Sequence, residues 1–485
     1  MALEAVIGLE CHIQVATRTK MFCGCPAEFG AAPNSNVCPV CLGLPGALPV
    51  ANRAAVDAAL RLGLALGCEI REESVFARKN YFYPDMPKNY QITQYDRPMC
   101  EGGALPVALA AGSRGFPLIR IHVEEDTGKS FHPERHGDRR ISRVDFNRAG
   151  VPLLELVTQP AFRDPAECAA FLTALRRLVR WLGISDGEME KGHLRCDANV
   201  SLRPAGQSEL GTKTEIKNLN SIRGVERGVT AEIARQNLAR LSGERIEQAT
   251  LLYDADHDRL AVMRSKEHAH DYRYFPEPDL PRLRVEAAWR DEARAALPEL
   301  PWTRAARLER EYAVPAYDAQ VLGERRELCD YFEDCARGAD GKLASNWIMT
   351  EVLRMTNERG WSIDDWARRV PPDRLREFLA RVSARDIPGP LAKQVFTWLA
   401  DEEGGVAELL DRHRVRVQAS RDDLLPLVRE VLNQNPGPVA QYRGGKIATL
   451  GFLVGQVMKK SAGQAVPQVV QDLLKAELGG QRPPS

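Results

Sequence analysis

Four cysteines stand in two close pairs, Cys23-Gly24-Cys25 and, after twelve intervening residues, Cys38-Pro39-Val40-Cys41. Soft thiolates at this spacing suit a tetrahedral zinc site, and four protein ligands leave no open position, so such a site would be structural. The plainer reading is four reduced cysteines in a loop rich in glycine and proline. A second set is acidic. In residues 6–13 the strand period of two puts Glu10 and His12 on one face and Cys11 on the other. Residues 118–126 form a strand running into three consecutive acids, Glu124, Glu125 and Asp126, whose mutual repulsion calls for water or a cation. Glu155 lies inside the apolar run 151–157, where an ionised side chain needs a partner once buried. In residues 194–202 clean alternation sets Arg195, Asp197, Asn199 and Ser201 on the polar face. Hard oxygen ligands with one imidazole suit magnesium, which keeps several waters and bridges to substrate phosphates, and this points to nucleotide chemistry. Solvated edges of an antiparallel sheet would account for each strand separately, but poorly for Glu155.

The elements that must carry these residues divide along the chain. Through 1–290, short alternating strands with Gly and Pro turns and a few helices predict an α+β fold with a mixed or antiparallel sheet. Within it, Asp164-Pro165-Ala166-Glu167 supplies a cap, a first-turn proline and a first-turn carboxylate, opening a helix that should stop near Gly183. The run Phe275-Pro276-Glu277-Pro278-Asp279-Leu280-Pro281 cannot continue a helix or a central strand, because proline lacks an amide donor. Beyond it the period becomes helical, predicting a helical domain over 291–405 and a small helical tail over 406–485.

Composition excludes several classes. The 485 residues carry 66 basic and 66 acidic side chains, so any hold on nucleic acid must come from local patches. The first twenty residues include Glu4 and Glu10 and lack a basic start before an apolar block, so no secretory leader is expected. No stretch reaches the roughly 18 apolar residues that span a bilayer. Eleven cysteines, an odd number spread over a long chain, argue against a disulfide framework and for a reducing, cytoplasmic setting. Thr127-Gly128-Lys129-Ser130 imitates the end of a phosphate loop, but the glycine required five positions before Gly128 is Val123. No Ser-His-Asp nucleophile stands out, so ammonia used here must be released elsewhere.

Five ordered blocks carry a resemblance: VIGLECHIQ at 6–14, RKNYFYPDMPKNY at 78–90, VEEDTGKS at 123–130, GHLRCDANVSL at 192–202 and YRYFPEPDL at 272–280. Together they resemble the GatB family, the B subunits of tRNA-dependent amidotransferases. GFLVGQVMK at 451–459 looks like that family's YqeY-like tail, so the similarity runs the length of the chain. The resemblance implies amidation of glutamate or aspartate wrongly loaded onto tRNA for glutamine or asparagine. ATP phosphorylates the side-chain carboxylate, and ammonia from the amidase subunit GatA displaces the phosphate. A small third subunit, GatC, is implied as well, with an aminoacyl-tRNA synthetase as a further partner. The implied magnesium ligands are Glu10, His12, Glu125 and Glu155, with ATP as co-substrate. Period two would instead put Glu124, beside His122 and Arg120, on the polar face; Glu125 is favoured because a strand end can bulge.

Given that resemblance, Lys79 is a candidate to steady phosphate or carboxylate charge, and Tyr81 and Tyr83 to stack on the terminal adenosine. The bland alternative is that 78–90 is a structural turn held by Pro84 and Pro87. Asp197 and Asn199 would order metal waters or merely close the sheet. In the tail, Arg443, Lys446, Lys459 and Lys460 would meet tRNA phosphates if helical spacing aligns them, or else solubilise a helix face. Two rivals remain open on the sequence: a stand-alone ligase forming an acyl phosphate on a small acid, and a non-catalytic tRNA-binding scaffold.

Overall fold

The computed structural model describes residues 3–131, 141–255, 257–265, 272–384, 386–387, 389–415, 421–461 and 465–479. The chain forms two compact units, Met1–Pro301 and Trp302–Ser485. The first is built on a ten-stranded sheet whose middle runs Leu194–Pro204, Leu3–Gln14, Pro152–Thr158, Gly112–Glu125, each antiparallel to its neighbour. Towards one edge Thr214–Leu219 pairs antiparallel with Leu194–Pro204 and parallel with Ala249–Asp254, the helix Ile222–Leu241 making the crossover that a parallel pair requires. The fold is α+β with a mixed sheet.

Alternation explains why the sheet has two unlike faces. Along Leu3–Gln14, Ile7, Leu9, Cys11 and Ile13 are buried while Glu10, His12 and Gln14 are half-buried on the other side. Cys196, Ala198 and Val200 repeat this against Arg195, Asp197 and Asn199, and Ser201 is buried. The apolar face is covered by three helices, Arg53–Ala65, Pro165–Trp181 and Ile222–Leu241. Pro165–Trp181 begins as its sequence predicts: the Asp164 carboxylate accepts from the Ala166 amide at 2.8 Å, with proline in the first turn. It ends at Leu182 and Gly183, where φ of +63° is the left-handed turn that glycine adopts without strain. Its apolar stripe, Phe171, Leu175 and Leu178, is buried, with Phe171 edge-on to Phe116 and Phe162 at 6.1 and 5.2 Å.

A smaller sheet packs against the strand Gly112–Glu125. The hairpin Ala77–Asn80 and Tyr90–Thr93 pairs antiparallel, and Phe275–Pro276 adds an edge strand beside Ala77 and Arg78. The proline-rich run is therefore tied into the first unit: Arg78 donates to both oxygens of the buried Glu277 carboxylate at 2.7 and 2.8 Å.

The second unit is helical among its described residues, from Pro301–Tyr312 onwards. Pro372–Ser383 starts behind Pro371 as the two prolines predict. Val406–Arg412 buries Val406 and Leu409 and packs on Pro372–Ser383 and Gly389–Asp401, so this helix joins the preceding bundle. A separate core gathers Leu424, Val428, Leu453, Val457, Val470 and Leu474 from three later helices. No helix among the described residues is long and apolar enough to cross a membrane, and each of the eleven cysteines is a free thiol.

Candidate active site and metal centres

Register brings the acids together. Arg195, His12, Glu155 and His122 are direct neighbours across four adjacent strands, and Asp197 faces Glu10 one pleat further along. Side chains in such a row share one face of the sheet. His12 Nε2 lies 3.7 Å from Glu10 Oε1, 3.5 Å from Glu124 Oε1 and 3.5 Å from Glu155 Oε2. His122 Nε2 lies 3.5 Å from the other Glu124 oxygen and 3.6 Å from Glu155. Two overlapping ligand sets result, Glu10, His12 and Asp197, and His12, Glu124 and Glu155, with the ligand atoms of each within 4.8 Å of one another.

Burial and charge oppose one another here. Burial pushes the Glu10 carboxyl up, and the Glu155 charge pushes the same way. Burial alone would lower His12, but hydrogen bonding to Glu155 and the charges of Glu155, Glu124 and Glu10 raise it to about 9. Burial would raise Glu155, yet His122 and His12 hold it well below the usual carboxylate range. Glu124 and Glu155 are 2% and 7% exposed, so two buried carboxylates are compensated here by two imidazoles, and the carboxylate oxygens are the ligand type a hard cation takes.

The three consecutive acids separate. Glu124 joins the imidazoles and accepts from Thr93 Oγ1 at 3.0 Å. Glu125 emerges on the opposite side, where its carboxylate pairs with Lys88 and accepts from the Ile92 amide at 2.9 Å. Asp126 is held by Arg195 at 3.0 Å and Arg148 at 3.5 Å. The expectation favouring Glu125 does not fit this placement: Glu124, not Glu125, joins His12 and Glu155, because the strand keeps its pleat through Glu125, with no bulge to rotate the side chain. Protein cations compensate two of the three acids, so their repulsion does not by itself require a metal.

Beside the acids lies a cavity of ≈ 230 Å³ lined by Glu10, Lys79, Asn199, Lys213, Glu215, Lys217 and Tyr272. A second, of ≈ 510 Å³, shares Lys79, Lys217 and Tyr272 and adds Tyr81 and Tyr83. Lys79 lies 4.9 Å from the Tyr272 ring centroid. Burial would lower Lys79, but the fields of Tyr274, Glu124 and Glu155 raise it, keeping the ammonium charged. Lys217 reaches Asp197 at 2.8 Å and Glu215 at 3.0 Å. Lys217 is absent from the residues singled out by sequence, although alternation in Thr214–Leu219 puts it with Glu215 on the polar side. His122 enters the sequence reading only as a neighbour of Glu124; its place between two carboxylates depends on cross-strand register.

The sulfurs of Cys23, Cys25, Cys38 and Cys41 lie within 4.8 Å of one another. The Cys38 amide donates to Cys41 Sγ at 3.2 Å, as suits a thiolate ligand. The donor set fits a closed tetrahedral zinc site. In the tail, Arg443 ends the helix Pro436–Arg443, Lys446 follows in the turn, and Lys459 and Lys460 end Thr449–Lys460. All four are exposed; Lys460 is paired with Glu430 and donates to Gln434 at 3.2 Å.

Fold and site together define an α+β domain with a cluster of carboxylates and imidazoles on the polar face of its sheet, followed by helical bundles. Residues 5–291 match the GatB/GatE catalytic domain family and residues 330–478 match the GatB domain family. The chain belongs to the GatB family. It is 48% identical over 479 residues to the B subunit of the aspartyl/glutamyl-tRNA(Asn/Gln) amidotransferase of Prosthecochloris aestuarii, covering 99% of this chain and 98% of that one. The protein of the same description from Moorella thermoacetica is 48% identical over 480 residues, covering 99% and 100%.

Proposed function

We propose that this chain is the phosphorylating and amide-forming subunit of a tRNA-dependent amidotransferase, acting on Glu-tRNA(Gln), Asp-tRNA(Asn) or both. The observation that carries the reading is the convergence of Glu10, His12, Glu124 and Glu155 beside the Lys79 and Lys217 cavities. A carboxylate cannot be amidated near neutral pH without a leaving group, and phosphoryl transfer asks a protein mainly for alignment and positive charge. Glu10, His12, Glu124 and Glu155 would hold magnesium, which when bound neutralises charge on the phosphates of ATP. Lys79 and Lys217 bind phosphate or carboxylate oxygens through fixed charge, Asp197 and Asn199 orient water at the cluster, and Tyr81 and Tyr272 wall the cavity.

The aminoacyl carboxylate attacks the γ-phosphorus and ADP leaves; ammonia then attacks the acyl carbon, phosphate leaves, and the ammonium gives up its proton as the amide forms. GatA releases the ammonia from glutamine, and GatC completes the complex. Cys23, Cys25, Cys38 and Cys41 hold a structural zinc, and Arg443, Lys446, Lys459 and Lys460 meet tRNA phosphates. The setting is the cytoplasm, where thiols stay reduced.

The test is amidation of misacylated tRNA with ATP, magnesium and ammonium chloride. Ammonium should serve without the amidase partner while glutamine should not. His12→Ala should reduce phosphorylation of the aminoacyl group by about a hundredfold or more and keep tRNA affinity. Lost tRNA binding with intact chemistry would overturn the assignment, and ADP formation without tRNA would favour a small-acid ligase.

A further inference from the structure

Lys20 is 0% exposed, a rare position for a lysine, and it lies just before the four-cysteine loop. Its Nζ donates to the Asn36 carbonyl at 2.7 Å and the Phe146 carbonyl at 3.3 Å, and lies 3.6 Å from Cys41 Sγ. An ammonium has three hydrogens and no acceptor; two meet carbonyl dipoles and the third is directed at a sulfur. Dipoles alone leave a buried cation expensive, so an anion is needed at that sulfur. A zinc ion with four thiolates carries two net negative charges and supplies it.

The surrounding bonds give this contact reach. The cysteine loop is laced to residues 144–150: the Asn34 amide donates to Asp145 Oδ1 at 2.9 Å, the Asn36 amide to Asn147 Oδ1 at 2.8 Å, and Asn147 Nδ2 to the Ala32 carbonyl at 2.6 Å. That segment braces the acid strand, through Arg148 on the Asp126 carboxylate and the Gly150 amide on the Asp126 carbonyl at 2.9 Å. We propose that Lys20 is the internal countercation of the four-cysteine site, answering one charge of the metal-loaded cluster and clamping that cluster to the segment that steadies the end of the Glu124 strand. The inference rests on the zinc reading of the cysteines. Residues just outside a ligand shell tune affinity by about ten- to a hundredfold, which sets the expected effect.

The experiment measures zinc per chain and zinc affinity, by competition with a chromophoric chelator, on the full chain as wild type, Lys20→Met and Lys20→Arg. Charge compensation predicts that Lys20→Met binds zinc about ten- to a hundredfold more weakly while Lys20→Arg stays within a few-fold of wild type. If the side chain merely fills space, the order reverses, because methionine fits the lysine volume and arginine does not; that order, or equal affinity in all three, overturns the proposal. Should Lys20→Met yield little folded chain, adding Cys41→His, which keeps a ligand but removes one negative charge, should restore zinc-loaded protein; failure to restore it also overturns the proposal. A wild-type chain that takes up no zinc would sink the zinc reading first, an outcome separable from equal affinities.

Discussion

Glu124 and Glu125 are adjacent acids with opposite surroundings, because the pleat sends successive side chains to opposite faces. Glu124 meets two imidazoles and Thr93; Glu125 meets Lys88 and a backbone amide. Glu124→Gln should leave folding intact and lower magnesium affinity and amidation by at least about tenfold, read from the metal dependence of turnover. Glu125→Gln should instead strand a buried ammonium and destabilise the first unit by about 3 kcal/mol, read by urea denaturation, with magnesium affinity preserved. The reverse pattern would move the metal site to the other face. Alternation alone ranks Glu124 above Glu125, and the family resemblance points the other way. Lys88 as the partner of Glu125 is not legible in the sequence, since 37 residues separate them.

A single strand cannot hold an acid cluster, and here four strands share the work while a helix layer keeps them in register. Asp164→Ala removes the cap of Pro165–Trp181 and should cost about 1 kcal/mol in thermal or urea unfolding with the acid cluster untouched. An unchanged melting temperature would mean the amide is satisfied by other means. The cysteine loop is a different kind of element, held by donor atoms more than by apolar packing: Phe29, Leu44, Leu48 and Val50 are all exposed. Chelation of the zinc proposed for this loop should open residues 23–50 to protease before the sheet unfolds, with reloading restoring protection. Cleavage that begins in the sheet would contradict a local role for the metal. The helix and the loop are both readable as sequence, one from a cap and a stop, the other from ligand spacing; what the loop braces is not.

Over the whole chain, 66 basic residues balance 66 acidic ones, so any RNA affinity must be placed locally. The tail has its own core, drawn from Leu424 to Leu478, and exposes Arg443, Lys446 and Lys459, while Lys460 is shared with Glu430. Replacing Arg443 and Lys446 with glutamate should weaken tRNA binding and reduce the slope of log affinity against log salt by about one per lost phosphate contact. Lys460→Ala should change the slope less, because its charge is already answered. A slope unchanged by the double variant would make these side chains a solubilising face.

Period two and ligand spacing, both short-range properties, determined from sequence alone which residues share a strand face, where one helix begins and ends, and which four sulfurs lie close enough to share an ion. Tertiary structure alone decided which strands are neighbours and in what register, and so put His122 and Lys217 with the acids and gave Glu125 to Lys88. Pairing between segments tens to hundreds of residues apart is set by how the apolar face closes on its helices, and no local pattern encodes that closure.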